Sequence, residues 1–282
     1  MAETWTVLRV LRWTSGYLAE RGVDGGRLDA ELLLGEVLQL DRVGLYLNFD
    51  RPLTADELTR YRERVARRAR REPLHYILGK AEFWSLPFRV GPEVLVPRAD
   101  TEVLVEEALE RIGKGARILD VGTGSGAIAV ALAHERPEAA VVAVDISTEA
   151  LAVAQENARA NGVAGRIRFL PGDLQALPGE EFDLVVSNPP YIPGGELADL
   201  MPEVRDFEPR LALDGGRDGL DSYRQLARQA PQLLRPEGWL LVEVGAGQAA
   251  AVQELLAAAG LGEIFCRDDY AGVPRVVGGR RS

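Results

Sequence analysis

The sequence predicts an α/β protein. Its sheet is mostly parallel, is closed by antiparallel strands, and follows a small helical N-terminal domain. Three observations lead there. From Arg117 to Val244, short apolar runs alternate with segments of helical period, as in strands joined by helices on both faces of a sheet. The first 80 residues carry helical spacing only. The last two apolar runs, around Ile264-Phe265-Cys266 and over residues 273–277, are separated by Ala271-Gly272 with no helix between them, so they read as an antiparallel pair.

In chain order, Val7, Leu8, Leu11, Tyr17 and Leu18 predict a first amphipathic helix that Gly22 ends. Ala30, Leu33, Leu34, Val37 and Leu38 predict a second over residues 28–40. A third starts at Thr54, where Thr54-Ala-Asp-Glu57 forms a capping box. Leu58, Tyr61, Val65 and Ala69 are its apolar face, and Pro73 stops it. Arg60, Arg62, Arg64, Arg67, Arg68, Arg70 and Arg71 lie between them. They are read either as a solvated face with favourable charge at the helix C-terminus or as a docking face for an acidic partner such as RNA phosphate. Residues 81–98 change character, and alternating apolar residues around Pro87 and Gly91-Pro92 predict a short hairpin linking the two domains. A helix then starts at Asp100 or Thr101.

The strands of the second domain, 99–282, follow. Strand one is residues 118–121, then a glycine-rich loop and a helix over 127–133. Strand two, residues 140–144, ends at Asp145, and a helix spans 148–161. Strand three, residues 167–170, leads to Asp173. Strand four is the start of Phe182-Asp-Leu-Val-Val-Ser-Asn-Pro-Pro-Tyr-Ile192. Pro189 and Pro190 have no N–H and fixed φ, so this strand ends at Asn188 in a rigid corner. A helix over 220–234, a strand over 239–244 and a helix over 248–259 precede the closing pair.

Composition bounds the function. Of 282 residues, 46% are hydrophobic and 27% charged, ordinary for a soluble globular protein. The single cysteine, Cys266, excludes an internal disulfide and a cysteine-based zinc cluster; it is expected in a buried strand. His75, near the domain junction, and His134, after the glycine loop, belong to no ligand-spaced cluster, so no metal site is expected. The charged N-terminus is unlike a secretory signal, and no apolar run reaches the roughly 20 residues that span a bilayer. A cytoplasmic, monomeric protein is expected. Residues 1–90 hold 15 basic and 13 acidic side chains, a net of +2, and residues 91–282 hold 18 and 30, a net of −12. A domain that acidic is poorly suited to DNA, whose binding rests on phosphate contacts.

The chemistry lies at the carboxyl ends of the strands, where open α/β sheets bind ligands. Gly122-Thr123-Gly124-Ser125-Gly126 lets the backbone turn sharply and a ligand come close. Its spacing departs from the G-x-G-x-x-G that cradles a pyrophosphate. Asp145 is placed to accept from two ribose hydroxyls. Asp173 is placed to accept from an adenine amino group, with Leu174 beside the ring. The ordered set describes an adenosine site without a pyrophosphate.

These residues resemble the class I, Rossmann-like S-adenosylmethionine-dependent methyltransferases. Asn188-Pro-Pro-Tyr191 is similar to the motif of enzymes that methylate a planar, amide-like nitrogen. That nitrogen is a poor nucleophile because its lone pair is delocalised. The resemblance implies that the Asn188 side-chain oxygen and the Pro189 carbonyl accept its two N–H bonds. Pro190 and Tyr191 complete the substrate corner, Tyr191 packing on the flat group. No general base is required in the early stage, because the nitrogen becomes acidic only once methylated, and catalysis is then mainly positioning and electrostatics. Asn188 also borders the cofactor.

The flanks narrow the resemblance to protein-glutamine methyltransferases that modify peptide-chain release factors. Pro97-Arg98-Ala99-Asp100-Thr101-Glu102 is similar to that family's P-R-P-E-T-E segment, departing at Ala99 and Asp100. Pro73-Leu-His-Tyr76-Ile77-Leu-Gly79 with Phe83, Phe207-Glu208-Pro209, Ala212-Leu213, Gly215-Gly216, Asp218-Gly219-Leu220, and Glu243-Val-Gly245 with Gln248 fit it too. It implies S-adenosyl-L-methionine as cofactor and N5-methylation of the glutamine in the Gly-Gly-Gln motif of class 1 release factors, with residues 1–80 helping to dock that substrate. Three other readings share part of this pattern: a ribosomal-protein glutamine methyltransferase, an adenine-N6 nucleic-acid methyltransferase, and a module that only binds S-adenosylmethionine.

Overall fold

The computed structural model describes residues 4–173 and 179–282. The chain divides into two compact units, one running up to Gly79 and including Met201–Phe207, the other Lys80–Leu200 with Glu208–Ser282.

The first unit is helical: α1 (Val7–Glu20), α2 (Gly26–Leu38), α3 (Arg42–Leu47), α4 (Ala55–Ala69) and α5 (Leu74–Leu78), with α9 (Pro202–Arg205) arriving from later in the chain. Val7, Val10, Leu18, Leu33, Leu34, Tyr61 and Val65 form its core. The capping box opens α4 as the sequence predicts: Glu57 N–H donates to Thr54, and Thr54 N–H to Glu57. The spacing did not predict α3 and α5, which at 6 and 5 residues are too short to show a helical period. The arginines of α4 are partly engaged within the unit. Arg67 pairs with Glu72, Arg68 with Asp29 and Glu203, and Arg71, just past the helix, with Glu203.

The second unit begins with an antiparallel hairpin, β1 (Lys80–Phe83) and β2 (Leu86–Arg89). Its turn lies at Trp84-Ser85, both with φ of 55°, a mirror-image turn that suits the strand twist. Pro87 sits inside β2, tolerable in a two-stranded ribbon. Two carboxylates hold the turn: Trp84 N–H donates to Glu102 at 2.7 Å, and its indole N–H to Glu135 at 2.9 Å.

After α6 (Glu102–Arg111), the unit builds one sheet from β3 (Arg117–Val121), β4 (Ala140–Asp145), β5 (Ile167–Pro171), β6 (Phe182–Ser187), β7 (Leu234–Glu243), β8 (Gly262–Asp268) and β9 (Pro274–Arg280). The order is β5-β4-β3-β6-β7-β9-β8. Strands β3 to β7 are parallel, and β9 runs antiparallel between β7 and β8. Neighbouring residues of each strand point to opposite faces. Ile118, Val141, Leu184 and Leu241 meet α6 and α7 (Ala127–Glu135) on one face. Leu119, Val142, Val185 and Leu240 meet α10 (Asp221–Leu233) and α11 (Ala249–Ala258) on the other. A further helix, α8 (Thr148–Ala160), follows β4. Cys266 is exposed, not buried as expected, because β8 is the sheet's last strand and little covers it. The chain leaves β3 toward β4 on one side, while β6 lies on the other. That reversal opens a crevice at the carboxyl ends of β3 and β6.

Candidate active site

The glycine loop is tied to the strand beside it. Gly122 and Thr123 N–H both donate to the Val144 carbonyl, at 2.9 and 3.0 Å. Gly124 N–H donates to Asp145 Oδ2 at 2.8 Å, and Ser147 N–H to Oδ1 at 2.9 Å. Gly126 has φ of +81°, and a Cβ there would lie 3.0 Å from the Ala154 Cβ on α8. Only glycine lets the loop turn there with that helix against it. A Cβ on Gly122 would meet nothing within 4 Å, so its backbone faces open space. Beneath the loop lies Asp120, which takes hydrogen bonds from Thr123 Oγ1 at 2.6 Å and Ala129 N–H at 3.2 Å. Burial pushes its carboxyl up to about 7; those bonds oppose the rise and the charge of Asp145 adds to it.

That open space is a cavity of about 280 Å³. Gly122, Thr123, Gly124, Ser125, Asp145, Gly172 and Asp173 line one part of it, and Asn188, Pro189 and Pro190 another. Of the predicted set, Gly126 lies behind the wall, and Leu174 lies outside the described residues. Ile146 also lines the cavity while 57% exposed, leaving apolar surface that a flat ring would cover.

Tyr191 is not part of the cavity wall. It packs with the core on the α10 and α11 side. Its carbonyl accepts from Gln248 Nε2 at 2.8 Å. A Cβ on Gly215 would come within 2.8 Å of the Tyr191 Cα, and one on Gly245 within 2.9 Å of its ring. The corner after Pro190 is thus gripped by bare backbone. Burial, with the charge of Glu243, pushes the Tyr191 hydroxyl above its ordinary pKa.

Beside the cavity is a buried polar chain. Asn188 Nδ2 donates to Thr101 Oγ1 at 3.1 Å, and that hydroxyl donates to Glu243 Oε2 at 2.6 Å. Farther along the wall, Arg98 Nη2 donates to both oxygens of Glu208, at 2.8 and 2.7 Å. Burial raises the Glu208 pKa even against that arginine. Thr101, Glu243, Glu208 and Ile146 were not among the predicted site residues. The first three stand in the family-like segments. No period or spacing, however, joins Thr101 to residues 87 and 142 positions away.

The donor set suits an adenosine. Asp145 offers two carboxylate oxygens, Ile146 an apolar flank, and the glycine loop room for close approach. No group of three or more His, Cys, Asp or Glu suited to a metal ion exists among the described residues.

The family model "PrmC N-terminal domain" matches residues 9–79, and "Methyltransferase small domain" matches residues 98–203. A Geobacter sulfurreducens protein named release factor glutamine methyltransferase is 55% identical over 279 residues, covering 99% of this chain and 98% of its own. A Chlorobaculum tepidum protein of the same name is 44% identical, covering 95% of each chain. The solved structure of a methyltransferase from Pyrococcus furiosus shares the fold at a TM-score of 0.54 and 18% identity, covering 70% of this chain and 89% of its own.

Proposed function

The chain belongs to the family of release factor glutamine methyltransferases, and we propose that the amide it methylates is that of the glutamine in the Gly-Gly-Gln motif of class 1 peptide-chain release factors. It is an S-adenosylmethionine-dependent protein-glutamine N5-methyltransferase with the class I fold. Relatives of this coverage carry the release-factor name, so neither a ribosomal protein nor an adenine is the favoured substrate.

One observation carries the assignment of chemistry to residues. The Asn188 amide is held by its nitrogen on Thr101, in the cavity that the glycine loop lines. Its oxygen is thereby left to accept a substrate N–H. Asn188 and the Pro189 carbonyl form the acceptor pair that grips the two N–H bonds of the glutamine amide. This holds the weak nucleophile in one orientation, so that positioning supplies most of the rate. Pro190 and Tyr191 keep the corner rigid. Tyr191 acts from behind the wall, through the grip on its backbone, and not by stacking on the substrate.

Bound S-adenosylmethionine supplies an electrophilic methyl group on a sulfonium sulfur. Gly122, Thr123, Gly124 and Ser125 would hold it along the loop, with Gly126 shaping the turn behind them, Asp145 at the ribose hydroxyls, Asp173 and Leu174 at the adenine, and Asn188 at the reactive end. Residues 1–80 would help to dock the release factor in the cytoplasm, where translation terminates. No described helix is long and apolar enough to cross a membrane.

The test is transfer of labelled methyl to a purified release factor and to a variant whose motif glutamine is alanine. Label enters the first and not the second. Equal labelling of both would refute the target.

A further inference from the structure

We propose that Thr101 and Glu243 are positioning residues that decide which end of the Asn188 amide faces the substrate. The inference rests on the reading of Asn188 as acceptor for a substrate N–H.

Three separate elements bring these side chains together. Asn188 follows β6, Thr101 ends the turn Ala99–Thr101 before α6, and Glu243 is the last residue of β7. Thr101 and Glu243 are buried. A hydroxyl has one proton to give. That of Thr101 goes to Glu243 Oε2 at 2.6 Å, so toward Asn188 its oxygen can only accept. The Asn188 group facing it at 3.1 Å is therefore the NH2. Were the amide turned over, its oxygen would face another acceptor, and one hydrogen bond would become a repulsion. A carboxylate at position 243 thus imposes a direction on the chain and reaches the Asn188 amide through two hydrogen bonds.

The groups around Glu243 are Thr101 and Asp100 from the turn, Asn188 and Tyr191 from the corner, Arg275 from β9, and Tyr223 from α10. The Tyr223 hydroxyl donates to the Glu243 backbone carbonyl at 3.0 Å. Arg275 is shared with Asp269 at 3.0 Å and Asp100 at 3.2 Å. Burial pushes the Glu243 carboxyl up to about 7; Thr101, Arg275 and Asn188 oppose the rise and Asp100 adds to it. Above that pH the carboxylate accepts and the direction is fixed. Below it the protonated acid can donate to Thr101. The threonine proton is then free to turn to Asn188, and either amide orientation is satisfied. The productive orientation is fully held only on the alkaline side.

The experiment uses the full-length enzyme with release factor as substrate and follows kcat, KM and S-adenosylmethionine affinity against pH. Thr101→Val, which keeps the shape and loses the hydroxyl, lowers kcat about tenfold or more while cofactor affinity stays within about threefold. Thr101→Ser restores kcat. The unmodified enzyme shows kcat rising as pH passes through about 7. Glu243→Gln, neutral at every pH, loses that limb. Asp120, also raised to about 7, underlies the same cavity, so a limb that persists in Glu243→Gln belongs elsewhere and overturns the proposal. A Thr101→Val enzyme with unchanged kcat overturns it as well. If Thr101→Val does not fold, Thr101→Ser with the Glu243→Gln pH profile decides. Asn188→Ala separates the two readings. Its retained turnover removes Asn188 from the mechanism altogether. Its loss, beside a fully active Thr101→Val, removes only the positioning role.

Discussion

The backbone N–H of Gly124 donates to Asp145 Oδ2 at 2.8 Å, so the carboxylate that ends β4 is fixed by the loop that follows β3. Ser147 N–H holds the other oxygen at 2.9 Å. Each oxygen keeps a further acceptor site, and the carboxylate lines the cavity already oriented. Asp145→Ala should raise the dissociation constant for S-adenosylmethionine about 10- to 100-fold, since a hydrogen bond to a charged group contributes roughly 1.5–3 kcal/mol. Titration calorimetry on the purified enzyme measures this. Unchanged affinity would remove Asp145 from the cofactor site.

Two glycines of the same loop should fail in different ways. At Gly126, φ is +81° and a new Cβ would press on Ala154 at 3.0 Å. Gly126→Ala should therefore cost about 1–3 kcal/mol of stability through strain and crowding. At Gly122 a new Cβ meets no protein atom within 4 Å and enters the cavity side. Gly122→Ala carries the same kind of backbone strain, with φ of +70°, but adds a loss of ligand affinity. Urea denaturation beside cofactor titration separates them. Equal affinity losses in both variants would contradict the contrast.

The sheet was legible in the sequence because each strand is a short apolar run ended by a turn residue. That the glycine loop, Asp145 and Asp173 would meet was legible because each stands at a strand's carboxyl end, and the parallel sheet brings those ends to one cavity. The position of the hairpin turn was not legible because Trp84 and Ser85 adopt φ of 55° without the asparagine or glycine that normally marks such a turn. Carboxylates of Glu102 and Glu135 hold it, and no local pattern shows them. The same reason hid Thr101 and Glu243: their role exists only once three elements meet. Cys266 was misread because apolar neighbours predict a strand but not whether that strand lies at an edge.

Arg98 and Glu208 form a pair with unequal burial. The arginine side chain is 41% exposed and the glutamate 2%. Burial raises the Glu208 pKa, and Arg98 opposes it. A carboxyl with a raised folded pKa contributes its stability at low pH and loses it as pH rises through that value. Without the arginine, the charged form is left buried and less compensated. Arg98→Met should lower stability by about 1–3 kcal/mol at neutral pH, and by less well below pH 4.5, the ordinary carboxyl value, where the acid is neutral in both states. Denaturation at the two pH values checks it. A larger loss at the acidic pH would reverse the sign and refute the account.

In the helical unit, Arg68 is the hub of a buried network. Its side chain is 8% exposed, and it donates to Asp29 at 2.6 Å and to Glu203 at 3.0 Å. Arg71 adds two bonds to Glu203, both at 2.6 Å. Glu203 belongs to Met201–Phe207, so this network fastens that segment to α4. Burial opposes ionisation of Glu203, yet bonds from Arg71 and Arg68 outweigh it and hold the carboxyl below its ordinary range. Such a group contributes stability above its unfolded pKa and loses it as pH falls through the folded one. Arg68→Met removes the shared partner and leaves Asp29 without its cation. A loss of about 3–5 kcal/mol is expected for breaking a buried network on one side. The gap from the unmodified protein should narrow on acidification, because Glu203 then becomes neutral in both. Amide hydrogen exchange locates the effect: protection should fall in α4 and in residues 201–207 together. If only α4 loses protection, Arg71 alone holds the segment, and Arg68 serves no more than its own helix.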